Sequence, residues 1–179
     1  MVYVDDILAV SHDPKAIIDH IGTVYEIKEG STGPPDSYLG AQIYKHSLPD
    51  GRWAWAISSV KYVKNAIKTV ETLLSENNNG LHLKTTAHVP FPTSYKPELN
   101  FSPEHSAELH AGYQQLIGIL RWAVELGCID IYLETSLLSQ YLASPHEGYL
   151  EAVYHIFAYL KTHNKILIVF NPKSVELDD

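Results

Sequence analysis

The spacing of apolar residues changes period once, at Ser58–Ser59, and that switch limits the fold more than any other feature of the chain. Before it, apolar residues alternate. Leu39, Ala41 and Ile43 alternate with Tyr38, Gly40 and Gln42, and Trp53, Trp55 and Ile57 alternate with Ala54 and Ala56. Successive strand side chains point to opposite faces, so each run predicts a strand with one buried face. After the switch, Val60, Val63, Ile67, Val70 and Leu74 recur at three- and four-residue steps, which predicts an amphipathic helix. Strands first and helices afterwards predict an α+β fold with segregated layers.

Turn and capping residues place the other elements. Residues 2–11 read as a hairpin with Asp5-Asp6 at its tip. Asp13-Pro14 predicts a helix start, with Asp13 as N-cap; Ile17, Ile18 and Ile21 share one face and Gly22 closes the helix. Val24–Lys28 reads as a short strand. Leu48-Pro49-Asp50-Gly51 supplies turn chemistry between strands at Tyr38–His46 and Trp53–Ser58. Ser58 or Ser59 caps the long helix and Glu76-Asn77-Asn78-Asn79-Gly80 ends it. Residues 81–102, with Pro90, Pro92 and Pro97, predict a long crossing strap.

Three more helices are expected. The first runs from about Pro103 to Leu126, with Tyr113, Leu116, Ile117, Leu120 and Val124 inward. The second runs from about Asp130 to Ala143, with Leu133, Leu137, Leu138 and Tyr141 inward. The third opens at Ser144-Pro145-His146-Glu147, a capping-box pattern, and carries the stripe Leu150, Val153, Phe157 and Leu160. Lys165–Phe170 closes as a strand.

Composition narrows the function. Apolar residues make up 45% of the 179, enough for a real core. No run of about 18 apolar residues occurs, so no membrane span is expected, and no basic-then-apolar leader opens the chain. A single cysteine, Cys128, excludes an internal disulfide and gives no metal framework. The formal charge of −8 argues against tight autonomous binding to DNA or RNA, which counterion release favours for basic domains. The ten histidines show no metal-ligand spacing.

Asp5 and Asp6 are the chemically pointed feature. Like charges side by side are costly when buried unless a cation neutralises them, and a pair of divalent metals bound to a nucleotide does so. Asp-Asp is also ordinary hairpin-turn chemistry. The order of downstream blocks separates these readings. Tyr3-Val4-Asp5-Asp6, Tyr25-Glu26-Ile27-Lys28, Tyr38-Leu39-Gly40 with Ile43, and Lys61-Tyr62 come first. Leu116-Ile117-Gly118-Ile119-Leu120-Arg121-Trp122, Asp130-Ile131, Leu138-Ser139, Pro145 and Tyr159-Leu160-Lys161 follow. The series resembles the reverse transcriptase of copia-type long-terminal-repeat retrotransposons over roughly residues 1–165. Two departures stand out: Cys128-Ile129 replaces an Arg-Pro pair often seen in the family, and Ala158 stands where an Arg is common.

The resemblance implies a division into residues 1–58 as the second half of a polymerase palm, 59–164 as a helical thumb, and 165–179 as a terminal strand and tail. It implies that Asp5 ligates Mg2+ directly and Asp6 supports it, in a two-ion site. It implies a primer grip at Tyr38, Leu39 and Gly40, phosphate contacts from Lys61, Lys64 and Lys68, and a general acid at Lys28. The implied partners are an RNA or DNA template-primer and a dNTP, with no membrane, in a cytoplasmic particle. The family's fingers and first metal-binding aspartate precede this region, so the chain is expected not to polymerise alone.

Each assignment has a plainer rival. Gly40 also suits a strand bend. The three lysines also suit a solvated helix face, and Lys28 an ordinary surface position. Trp53, Trp55 and Trp122 suit base stacking, or core packing for at least two of them. A decayed or repurposed noncatalytic interaction module is the rival for the whole chain.

Overall fold

A computed structural model describes residues 2–3, 6–77, 82–92, 94–104 and 106–170. At the start, β1 (Val2–Tyr3) pairs antiparallel with β2 (Asp6–Ile7), with Tyr3 opposite Asp6. These two strands form a sheet of their own. Helix α1 (Pro14–Gly22) starts as its sequence dictates: the Asp13 carboxylate accepts from the Ala16 N–H at 3.1 Å and Pro14 fills the first turn. None of its residues is buried.

The strand expected at Val24–Lys28 does not form. The amides of Val24 and Tyr25 both donate to the Ile21 carbonyl at 3.0 Å, which wraps the chain around the helix end. A turn then closes from Lys28 to Ser31. Local helix-end hydrogen bonds prevail here over the β-propensity of Val24, Tyr25 and Ile27, because no partner strand pairs with them.

The main sheet has four antiparallel strands in the order β3 (Ser37–Tyr38), β4 (Ala41–Ser47), β5 (Trp53–Ser58) and β6 (Ile168–Phe170). The β4–β5 hairpin turns at Gly51, whose φ of +81° suits glycine. Asp50 braces that turn by accepting from the Arg52 backbone and guanidinium. Strand β3 covers only the start of β4, pairing with Ala41 and Gln42.

On β5 the buried face is the one with the smaller side chains. Ala54, Ala56 and Ser58 are buried, whereas Trp53 is 65% and Trp55 42% exposed. The register explains this. Ala56 lies between the larger Tyr44 and Val169 on one face, which shield a small side chain. The tryptophans share the other face with Lys45 and Phe170. Alternation alone cannot tell which of two apolar sets is inward.

The helical layer follows α2 (Val60–Asn77), α3 (Ala107–Glu125), α4 (Tyr132–Ser139) and α5 (Glu147–Thr162). Helix α2 buries Val63, Ile67, Val70 and Leu74, as its period predicts. Helix α3 starts at Ala107 rather than Pro103, because Glu104 bridges to His146 in extended form. A 3₁₀ turn (Ile129–Ile131) precedes α4, which ends at Ser139 rather than near Ala143. Leu133 is 62% exposed, so the inward set there is Thr135 and Leu138. His146 rather than Ser144 stands at the N-cap position of α5, without a side-chain capping bond, and the Ser144 hydroxyl donates to Glu104 instead.

Tyr113, Ile117, Leu120, Ile131, Leu138, Ile156, Phe157 and Leu160 form the centre of the core. The Tyr113 hydroxyl donates to the buried Leu138 carbonyl at 2.8 Å, tying α3 to α4. The described part of the 81–102 strap crosses the helices. Ala87 donates to the Thr162 hydroxyl at 3.2 Å, and the Tyr95 hydroxyl donates to the Gly148 carbonyl at 3.2 Å. Strand β6 then returns to β5, so part of the 165–179 segment is built into the sheet of residues 37–58; residues 171–179 lie outside the described ones. Among the described residues no helix is long and apolar enough to cross a membrane.

Two predictions follow from this packing. Gly127 has φ of +109°, and a Cβ there would meet Ile168 Cδ1 at 2.7 Å. Gly127→Ala is therefore expected to lower unfolding free energy by about 1–3 kcal/mol in a urea titration. Burial pushes the Cys128 thiol from 9.0 up to about 11, against a small opposing effect of the Ser59 hydroxyl. The unfolded chain ionises first, so this contribution is intact below pH 9.0 and is lost as the pH approaches about 11. Stability measured across that window should fall less steeply in Cys128→Ala than in the parent chain.

Candidate nucleic-acid interface

The first expected site residue, Asp5, lies outside the described residues, as does Val4. Asp6 is on β2, exposed, and opposite Tyr3. Among the described residues no three His, Cys, Asp or Glu side chains converge on one point. Mg2+ demands near-octahedral coordination by about six oxygens, so Asp6 is at most one corner of such a site.

The second expected site has a defined geometry. Leu39 and Gly40 join β3 to β4 with φ of +53° and +92°. Two successive positive φ values are the mark of a type I′ hairpin turn, whose twist matches the flanking strands. Gly40 is there for its conformation: a Cβ would meet nothing within 4 Å. That open space also leaves the turn's backbone approachable from solvent. Leu39 has no such freedom. A left-handed leucine costs roughly 1–2 kcal/mol. Its carbonyl accepts from the Trp122 indole N–H at 3.3 Å, which ties the turn to α3. Tyr38 is half-buried at the end of β3.

Lys61, Lys64 and Lys68 are exposed on α2, on the side opposite Val63, Ile67 and Val70. None of them is in an ion pair among the described residues. The neighbouring Tyr62 hydroxyl instead donates to the Ile119 carbonyl at 3.0 Å and so fixes α2 against α3. Lys28 is exposed in its turn, and only its carbonyl is engaged there.

The structure thus brings the Leu39-Gly40 turn and the helical layer together through Trp122. It does not join the Asp6 hairpin to them in one sheet. Sequence reading missed the Trp122 latch, having treated that side chain as a stacking or core group. It also missed the exposed aromatic face, where the Lys45 ammonium lies 5.7 Å from the centre of the Trp55 ring. The signal was present in the small residues Ala54, Ala56 and Ser58, which suit the shielded side of a narrow sheet.

No protein-family model matches the chain, and no solved structure matches it. The chain is similar to a Saccharomyces cerevisiae protein whose name assigns it, as a candidate, to transposon Ty5-1. The two are 27% identical over 176 residues, which cover 97% of this chain and 52% of that protein. The chain therefore spans about half the length of the curated relative it matches. The likeness supports a retrotransposon origin.

The turn yields a paired test. Gly40→Ala should cost about 1–2 kcal/mol in unfolding free energy although nothing crowds the position. Gly33→Ala, equally uncrowded and without a positive φ, should be neutral or stabilising by up to about 1 kcal/mol.

Proposed function

We propose that this chain is the portion of a copia-type retrotransposon reverse transcriptase that runs from the catalytic hairpin through the thumb. The observation that carries the reading is the ordered series of motif blocks. It is supported by likeness to a transposon-named protein across 97% of the chain.

In this reading the partners are a template-primer and a dNTP. Asp5 and Asp6 would hold Mg2+, with Asp5 as the direct ligand. A magnesium pair, when bound, would stabilise the charge on the attacking and leaving oxygens of nucleotidyl transfer. The two carboxylates do not suffice for that pair, and the site would need a further oxygen ligand to complete it. The chain's own contribution is positional. Gly40 offers an uncovered backbone to the primer, and Trp122 holds the strained Leu39 carbonyl so that the turn keeps one shape. Lys61, Lys64 and Lys68 face solvent where they can meet phosphates, which fixes register without reading sequence. Lys28 would be the general acid, presented on the exposed turn that closes at Ser31.

The chain alone should extend no primer. Mixed with, or fused to, a fingers-and-first-palm segment of a copia-type polymerase, it should extend a DNA primer on an RNA template in Mg2+. Asp5→Asn should reduce that extension to background. Extension by the isolated chain, or a fused enzyme indifferent to Asp5→Asn, would refute the reading.

A further inference from the structure

A cleft of mixed polar and apolar lining between α3 and α4 is used by nothing described so far. It has a volume of about 330 Å³ and is lined by Arg121, Val124 and Glu125 on α3 and by Tyr132, Thr135, Ser136 and Ser139 on α4. That volume is within the range of ligand pockets, about 300–1,000 Å³. We propose that this cleft holds one unit of a single-stranded nucleic acid, with its phosphate on Arg121.

The donors point to the ligand. Arg121 is exposed and takes part in no ion pair among the described residues, so its fork of N–H groups is available. Thr135 is only 2% exposed, and its hydroxyl is buried with no partner among the described residues. Buried hydroxyls are nearly always hydrogen-bonded, so this one, on a residue that lines the cleft, calls for an acceptor that the described residues do not supply. Ser136 adds an exposed hydroxyl. The Ser139 hydroxyl already donates to the Thr135 carbonyl at 2.7 Å and offers only lone pairs. The ligand must therefore be rich in acceptors and anionic, as a phosphate is.

Two further features ask for more than phosphate. Glu125 places a carboxylate in the same wall, which repels a bare anion and favours a ligand that also donates, as a base amino group or ribose hydroxyl does. Tyr132, 62% exposed, presents a ring on which an unpaired base can stack. Phosphate acceptors, a donor and a flat ring together describe a nucleotide unit. The proposal shares with the polymerase reading only the assumption that nucleic acid is the partner. It makes no use of Asp5, Asp6 or the turn.

The test is fluorescence anisotropy of a short labelled single-stranded oligonucleotide with the full chain. Saturable binding is expected, weakened about tenfold or more by Arg121→Ala. Thr135→Val should weaken it by about threefold while leaving the melting temperature unchanged or higher, because the hydroxyl has no partner among the described residues. Lys15→Ala, which removes a positive charge elsewhere, should change binding by less than about twofold. Lack of saturable binding, or equal losses in Lys15→Ala and Arg121→Ala, would overturn the proposal. So would displacement by inorganic phosphate or polyglutamate as efficient as by unlabelled oligonucleotide, which would make the cleft a plain anion or acidic-peptide site. Arg121-dependent binding in a chain that cannot be reconstituted as a polymerase would refute the polymerase reading alone. A reconstituted polymerase with Arg121-independent binding would refute this one alone.

Discussion

The chain depends on a buried junction at Ser58–Ser59, where strand becomes helix without an intervening loop. Both serines are buried, and a buried hydroxyl must find a partner. The Ser58 hydroxyl donates to the Ile166 carbonyl at 3.0 Å, and the Ser59 hydroxyl lies 3.8 Å from the Cys128 sulfur. One residue therefore anchors the approach to β6, and the next anchors the loop after α3. The helical layer is held between two strands of the same sheet, β5 at its entry and β6 at its exit.

The period switch at that junction was legible because both halves obey simple geometry. Helix α2 shows its buried face in Val63, Ile67, Val70 and Leu74, and the β4–β5 hairpin announces its turn. The ends of elements were less legible. Ser144-Pro145-His146-Glu147 carries a sound capping pattern, yet Ser144 is diverted to Glu104, forty residues away in sequence. Such a competitor is invisible to any local rule. The inward face of β5 was not legible for a different reason: both sets of alternating residues are apolar, and only the register with Tyr44 and Val169 selects between them.

The site divides in the same way. The turn at Leu39-Gly40 was flagged by its glycine, but the more constrained residue is Leu39, and nothing in its identity predicts a positive φ. Its conformation depends on a partner 83 positions later, Trp122. The cleft between α3 and α4 was equally hidden. Its residues are individually ordinary positions, and only helix packing gathers them. The carboxylate pair had the reverse character: Asp-Asp alone is ordinary turn chemistry, and only the ordered blocks downstream set it apart.

The brevity of β3 has a consequence for handling the molecule. Beyond Gln42, the side of β4 that runs from Tyr44 to Ser47 has no strand beside it among the described residues. Such a border offers ready-made pairing to any extended peptide. Lys45 and His46 sit along it, and a charge at such a border discourages stacking of one copy on the next. A preparation at high salt, where that charge is screened, would be the one to form ribbons.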